Sequence, residues 1–499
     1  MLAIGTALLT GLVFLIALFY VWSAVRSRQL YWSCRKIPFV AGSHWLFGNV
    51  GRIWRSEHSS VILQRVYDEL KERRFPVGGF NFFLTPSILV VDPERIRRIL
   101  VEDESVYNSP RLYINENSDP LSCTTYNSVG DGWRSSRDIL GPIQNDEVLK
   151  RMFADIAAAA NELNGIIRKE KQKNRKNLDI LDLMERYVTQ TIGTNIFGIR
   201  CRTISNPRTE FHCMSREASR FKLIPFIKQW FAFSFPFISR KFDLKITEKA
   251  VEKFFTSICQ ATVLHRESYQ IRRHDLLQHF IQVRQQEKMT LRQITAQCYS
   301  FALYGIQPCS ATMAFCLYEV ANNPVIQKRL REEIFNALKE TDGQLTFELI
   351  SSLTYLDQVL RETLRKYPPV DFIYRRSSQT HDNVPGGTPF IIPIYALHHD
   401  SDHFPSPEQF NPDRFSPDRC TKSWPTFSYL PFGAGQRSCV GARFAPMICK
   451  IGLVTLIRSF RFSLTDNDKG AGVCLMPNAR VLRPAEGTLR LKVDRVRSF

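Results

Sequence analysis

The sequence predicts a mainly α-helical domain with a minor β portion, set behind an N-terminal membrane anchor. Three observations carry this. Residues 1–25 hold no charge and include "LLTGLVFLIALFYVW", with Arg26, Arg28, Arg35 and Lys36 directly after. Helical periodicity dominates residues 131–340, whereas strand-like runs are short. No Gly/Ser linker, low-complexity tract or internal repeat divides the 499 residues, so one large domain is the simplest reading.

The apolar N-terminus is long enough to span hydrocarbon at ~1.5 Å per residue. It lacks the basic leading region and short apolar core of a cleaved signal peptide. The basic cluster behind it places the remainder in the cytosol by the positive-inside rule. The expected organisation is a transmembrane signal-anchor over 1–25, a basic linker over 26–50 and the functional domain over 51–499.

Apolar residues make up 44% of the chain and 36 residues are Phe, enough for a large core and a greasy cavity. The 12 cysteines form no CxxC pair, which fits reduced core thiols in a cytosol-facing compartment. A net charge of +19 favours acidic partner surfaces or anionic lipid. The basic residues are dispersed on helices, as in "IIRKEKQKNRK" at 166–176, so a nucleic-acid arm is not expected.

In chain order, residues 46–53 lead into a helix that runs through Arg74, and "SILVVDP" at 87–93 is the clearest early strand. Residues 323–340 and 351–367 have the pattern of amphipathic helices. "TPFIIPIYALHHD" at 388–400 reads as strand, and "RLKV" at 490–493 as part of a terminal hairpin. A long apolar helix begins at Thr290, where Thr290 and Gln293 have capping-box spacing, and stops before Asn323-Pro324. Such a helix crosses the centre of a domain. Pro308 lies inside it, at a cost of roughly 3 kcal/mol.

Near the C-terminus stands "PFGAGQRSCVGARFA", residues 431–445. If Cys439 bound an iron, Gly435 would supply a tight turn, Arg437 a forked cation, and Gly441 a close backbone approach to a flat ligand. Amides after the turn would steady a thiolate. A buried free cysteine does not need the full Phe-x-x-Gly-x-Arg-x-Cys-x-Gly spacing from Phe432 to Gly441.

This stretch resembles the haem-binding loop of the cytochrome P450 family, and further landmarks follow in that family's order. "ETLR" looks like its Glu-x-x-Arg helix, with Glu362 and Arg365 one turn apart, and "NPDRF" supplies Arg414 as third member of the ion-paired triad. "WRSSR" resembles the helix that sends Trp133 and Arg137 to a haem propionate, and Arg375 matches another propionate contact. The pattern is most similar to microsomal animal enzymes, insect-type members in particular. The resemblance implies haem b with Cys439 as axial ligand, and cofactor contacts from Trp133, Arg137, Arg375, Phe432, Gly435, Arg437 and Gly441. It also implies electrons from NADPH through a partner cytochrome P450 reductase, cytochrome b5 as a second donor, an apolar small-molecule substrate and an endoplasmic reticulum membrane.

At the family's oxygen-handling motif this chain reads Tyr304, Gly305, Ile306, Gln307, Pro308. The expected acid and alcohol are replaced by Gln307 and Pro308, neither of which can deliver a proton near neutral pH. Gln307, Pro308 and Thr312 are therefore the candidate catalytic groups of an altered groove, with Ser310 a further hydroxyl. Three readings stay open: a monooxygenase, an isomerase or dehydratase acting on an oxygenated or hydroperoxide substrate, and a haem-thiolate protein that binds without turnover. His399 and His403 have helical metal spacing, but their proline-broken context favours a solvated loop. Residues 220–237 alternate basic and aromatic side chains and are expected to dip into the membrane.

Overall fold

The computed structural model describes residues 30–40, 44, 47–51, 57–107, 114–173, 177–380, 383–420, 426–465 and 472–496, together with 11, 19, 22, 23 and 26. The expected anchor lies almost wholly outside the described residues. Among those described, no helix is long and apolar enough to cross a membrane.

The chain first builds a β layer. Helix α1 (Ser59–Glu72) starts at His58, whose Nδ1 accepts the Ser60 amide at 3.2 Å. Its apolar face of Ile62, Leu63, Val66 and Leu70 is buried beside the hairpin of β1 (Val77–Phe82) and β2 (Thr85–Val90). A side chain at Gly79 would sit 2.4 Å from the Trp32 ring, so only glycine lets that buried ring seat on the sheet.

Helices dominate the middle: α2 (Gly130–Leu140), α3 (Asp146–Gln172), then after strand β3 (Asn177–Asp179), α4 (Ile180–Asn195), α5 (Glu210–Ser219), α6 (Leu223–Ser234), α7 (Pro236–Lys241) and α8 (Lys249–Tyr269). The long α9 (Leu291–Asn322) follows, capped by the reciprocal Thr290–Gln293 box that the sequence predicts. It packs against α4 and α8 and continues without a break across Pro308. Burial of Ile306, Met313, Phe315 and Leu317, at roughly 1.5–3 kcal/mol each, outweighs the proline's cost.

Helices α10 (Pro324–Glu340) and α11 (Thr354–Lys366) then lead to β4 (Ile373–Arg376) and β5 (Pro389–Ile392), completing a sheet of order β1-β2-β5-β4. β2 and β5 run parallel, β4 and β5 antiparallel, and Arg375 faces Phe390 across the ladder. The stretch read as strand at 388–400 divides here. Pro393 has no amide hydrogen to continue the ladder and caps a short helix, α12 (Ile394–His398). Helix α13 (Phe444–Ile457) lies on α3 and α9, with Gly452 leaving room for Met313 and Tyr187. The last strand, β7 (Arg490–Arg495), is not half of a terminal hairpin: it sits between β3 and the remote β6 (Phe460–Leu464). Two apolar cores result, one among the helices around α9 and one under the sheet.

Candidate functional site

Residues 430–441 form a tight loop before α13. The Cys439 amide donates to the Phe432 carbonyl at 2.8 Å and the Ser438 amide to Gly435 at 3.1 Å, folding the loop back on itself. Gly435 adopts φ +74°, and a Cβ there would lie 2.0 Å from the Leu100 carbonyl, so both turn and contact require glycine. The Gly441 amide donates toward the Cys439 sulfur, as the spacing predicts.

Cys439 is exposed to solvent, yet the surrounding protein desolvates its thiol, so it lies in a recess rather than on an open face. Burial pushes its thiol pKa up and Cys309 adds to the rise, while the Gly441 amide and Arg137 pull it down. The protein alone leaves the proton on sulfur; a cationic centre is what would make it a thiolate.

Cations ring this recess. Arg137 on α2 anchors to the loop through Nη1 to the Ser438 carbonyl at 2.6 Å and Nη2 to Ser438 Oγ at 3.3 Å. The Arg437 guanidinium lies 4.5 Å above the ring of buried Trp133 and donates to the Ser128 carbonyl at 2.8 Å. Arg375, on β4, donates to the Tyr374 carbonyl at 2.9 Å. Desolvation lowers all three guanidinium pKa values, and for Arg437, with Arg375 nearby, to about 10. Among the described residues no carboxylate comes within ion-pair distance of Arg137 or Arg375. Guanidiniums do not give up their protons. Such a set fits a flat ligand with an electrophilic metal over Cys439 and anionic arms at the arginines, as haem b has.

The wall behind the loop is the buried triad. Arg365 pairs with Glu362 through two hydrogen bonds of 2.8 and 3.0 Å, with both side chains sealed from water. Arg414 Nε stands 3.4 Å from Glu362 Oε1, and the Asn411 amide donates to the same oxygen at 2.9 Å. Arg365 also donates to the carbonyls of His398 (2.9 Å) and Pro407 (2.7 Å).

Sequence reasoning missed His398. It is fully buried, and its Nε2 accepts the Leu430 amide at 2.9 Å, linking the triad to the first residue of the cysteine loop. Desolvation holds it neutral, as that acceptor role requires. The neighbouring histidines are not in a solvated loop: His399 stacks on Tyr395 at 4.0 Å, and desolvation lowers its pKa to about 3. No cluster that could hold a metal appears among the described residues.

Across the recess, α9 presents Tyr304 and Pro308, one turn apart, as its accessible face. Tyr304 meets Tyr126 with ring centroids 5.2 Å apart. Gln307 is buried instead, and its Nε2 donates to Ser219 Oγ on α5 at 2.9 Å. Ser310 donates back to the Ile306 carbonyl at 2.7 Å, and Thr312 is buried one turn beyond Pro308.

Comparison with known proteins identifies the family. The cytochrome P450 family model matches residues 38–487. Similar curated relatives, all from Drosophila melanogaster, include "Probable cytochrome P450 6a23", 32% identical over 485 residues, with 94% of this chain and 96% of the relative covered. "Cytochrome P450 6a8" is 33% identical over 490 residues (95% and 96%), and "Cytochrome P450 6a2" is 33% identical over 487 residues (93% and 95%). A match on this scale identifies the chain: it belongs to the cytochrome P450 family, as an insect-like monooxygenase that carries haem b and takes electrons from a partner reductase.

Proposed function

We propose that this enzyme inserts one oxygen atom of O2 into an apolar small molecule at the endoplasmic reticulum membrane, using electrons that originate in NADPH. The observation that supports the site assignment is the folded Cys439 loop with Arg137 bonded to Ser438 and the Arg437 guanidinium over Trp133. Bound there, haem b supplies oxygen activation. The chain's own groups hold the cofactor's arms through the arginines and Trp133, shape the loop through Phe432, Gly435 and Gly441, and keep water out through the packing around α9.

An apolar substrate is supported by the aromatic seam between the β1–β2 hairpin and α6. Phe82 lies 5.4 Å from Phe233 and 5.7 Å from Phe372, and Phe83 lies 6.0 Å from Phe226. Next to this seam, Ile224, Phe237 and Phe242 are 67%, 78% and 74% exposed, flanked by Lys228, Arg240 and Lys241. That mixture suits the lipid interface, as a lip of the substrate entrance. With it goes the arrangement of a signal-anchor at 1–25, a basic linker at 26–50 and a haem-thiolate catalytic domain at 51–499, cytosolic and reached by an NADPH-dependent reductase and cytochrome b5.

The test supplies NADPH and a flavoprotein reductase to the membrane-bound enzyme and follows oxygenated product. High salt should slow reductase-supported turnover more than peroxide-supported turnover, because docking on a basic surface is screened. Equal salt sensitivity would remove the electrostatic docking. A second reading, rearrangement of a hydroperoxide, is favoured by one observation: Gln307 and Ser310 both donate their hydrogen bonds within the protein, to Ser219 and Ile306. Rearrangement needs no protons delivered to dioxygen, so product formed from a lipid hydroperoxide without reductase would select it.

A further inference from the structure

We propose that Glu104 is the third anion of the cofactor site, balancing with the two haem propionates the charges of Arg137, Arg375 and Arg437. This rests on the haem assignment above and concerns a residue that no motif marks.

Glu104 is only 6% exposed, and its Oε1 is sealed from water with no hydrogen-bond partner among the described residues. A carboxylate in that state is costly unless cations stand close by. The backbone shows which cations. Four residues earlier, the Leu100 carbonyl presses on Gly435, two positions before Arg437. Two residues later, the Val106 carbonyl accepts the Ser378 amide at 2.7 Å, three positions after Arg375. The Tyr107 amide donates to the Glu104 carbonyl at 3.1 Å and fixes the turn between these contacts. Glu104 thus sits on a short bridge between the segment carrying Arg437 and the segment carrying Arg375. Its charge acts on both of those guanidiniums and on Arg137.

The sum of charges explains why the three half-buried arginines tolerate one another. Among the described residues, haem b would bring two carboxylates to three guanidiniums, leaving one positive charge uncompensated. Glu104 cancels it. Because reduction of the iron adds negative charge, an anion fixed beside the cofactor also opposes reduction.

The experiment is a potentiometric titration of the purified holoenzyme and its variants. Glu104→Gln should raise the equilibrium constant for haem reduction about tenfold, equivalent to about 59 mV for one electron. Glu104→Asp should stay near the parent, and Glu102→Gln, an exposed carboxylate on the same segment paired with Arg97, should not move it. Arg375→Gln should shift the potential the opposite way, and the double variant with Glu104→Gln should return toward the parent. If Glu104→Gln loses haem, the double variant should hold more haem than that single variant. An unshifted potential in Glu104→Gln, a shift as large in Glu104→Asp, or no recovery in the double variant would overturn the proposal. The thiolate-type carbonyl spectrum, recorded on each variant, separates these failures from failure of the haem assignment itself.

Discussion

The two walls of the recess are built on different principles. Behind Cys439, an ion pair joins Arg414 to Glu362, and buried charge-assisted or backbone-directed hydrogen bonds run on from Glu362 through Arg365 and His398 to Leu430. On the opposite wall, Gln307 and Ser219 share one neutral hydrogen bond, and the Tyr304 ring meets that of Tyr126. The comparison teaches where substitution is tolerated. A wall tied together by buried ion pairs cannot lose a member without leaving a charge unpaired, whereas α9 carries Gln307 and Pro308 and keeps its helix.

The difference can be broken hardest at Glu362. Glu362→Gln leaves Arg365 and Arg414 buried without their shared anion, so a loss of about 3–5 kcal/mol and of bound haem is expected. Denaturant unfolding with haem quantification reads both. A variant that retains haem and stability would erase the contrast between the walls.

A smaller effect comes from His212 on α5, the helix that also carries Ser219. It is buried against Thr189 Oγ1 at 3.3 Å, and desolvation lowers its pKa to about 4. A neutral histidine whose folded pKa lies below the unfolded value contributes stability above pH ~6.5. That contribution falls as the pH drops toward the folded value. Between about pH 7.5 and about pH 5 it should cost about 2 kcal/mol, and His212→Asn should flatten that part of the stability profile. An unchanged slope in the variant would place the acid sensitivity elsewhere.

The smallest effect is at the Gln307–Ser219 pair. Ser219→Ala should destabilise by about 1 kcal/mol with haem content unchanged, and a cycle with Gln307→Leu should show a coupling near that size. A loss of haem in Ser219→Ala would mean that this wall, too, holds the cofactor.

These contrasts also explain what was legible in the sequence. The turn of the Cys439 loop could be read because its geometry is local: the positive-φ Gly435 and the hydrogen bond from Cys439 to Phe432 lie within a few residues of the sulfur. Glu362 and Arg365 share a helix turn, and the Thr290 capping box is likewise short-range. His398 meeting Leu430 and Gln307 meeting Ser219 are contacts between segments far apart in the chain, which spacing does not encode. The strand expected at 388–400 forms over Pro389–Ile392 and stops there for a local reason that was visible, Pro393. The terminal hairpin failed because β7 takes its partners from β3 and β6, a choice made by tertiary packing.

The central claim is that the Cys439 sulfur ligates the haem iron. The most direct measurement is the absorption spectrum of the reduced, carbon monoxide-bound protein, compared between the parent and Cys439→Ser. The parent should show the red-shifted carbonyl band of a thiolate-ligated haem, and the variant should lose that band or the haem altogether. A variant with haem and an unaltered band would contradict the account.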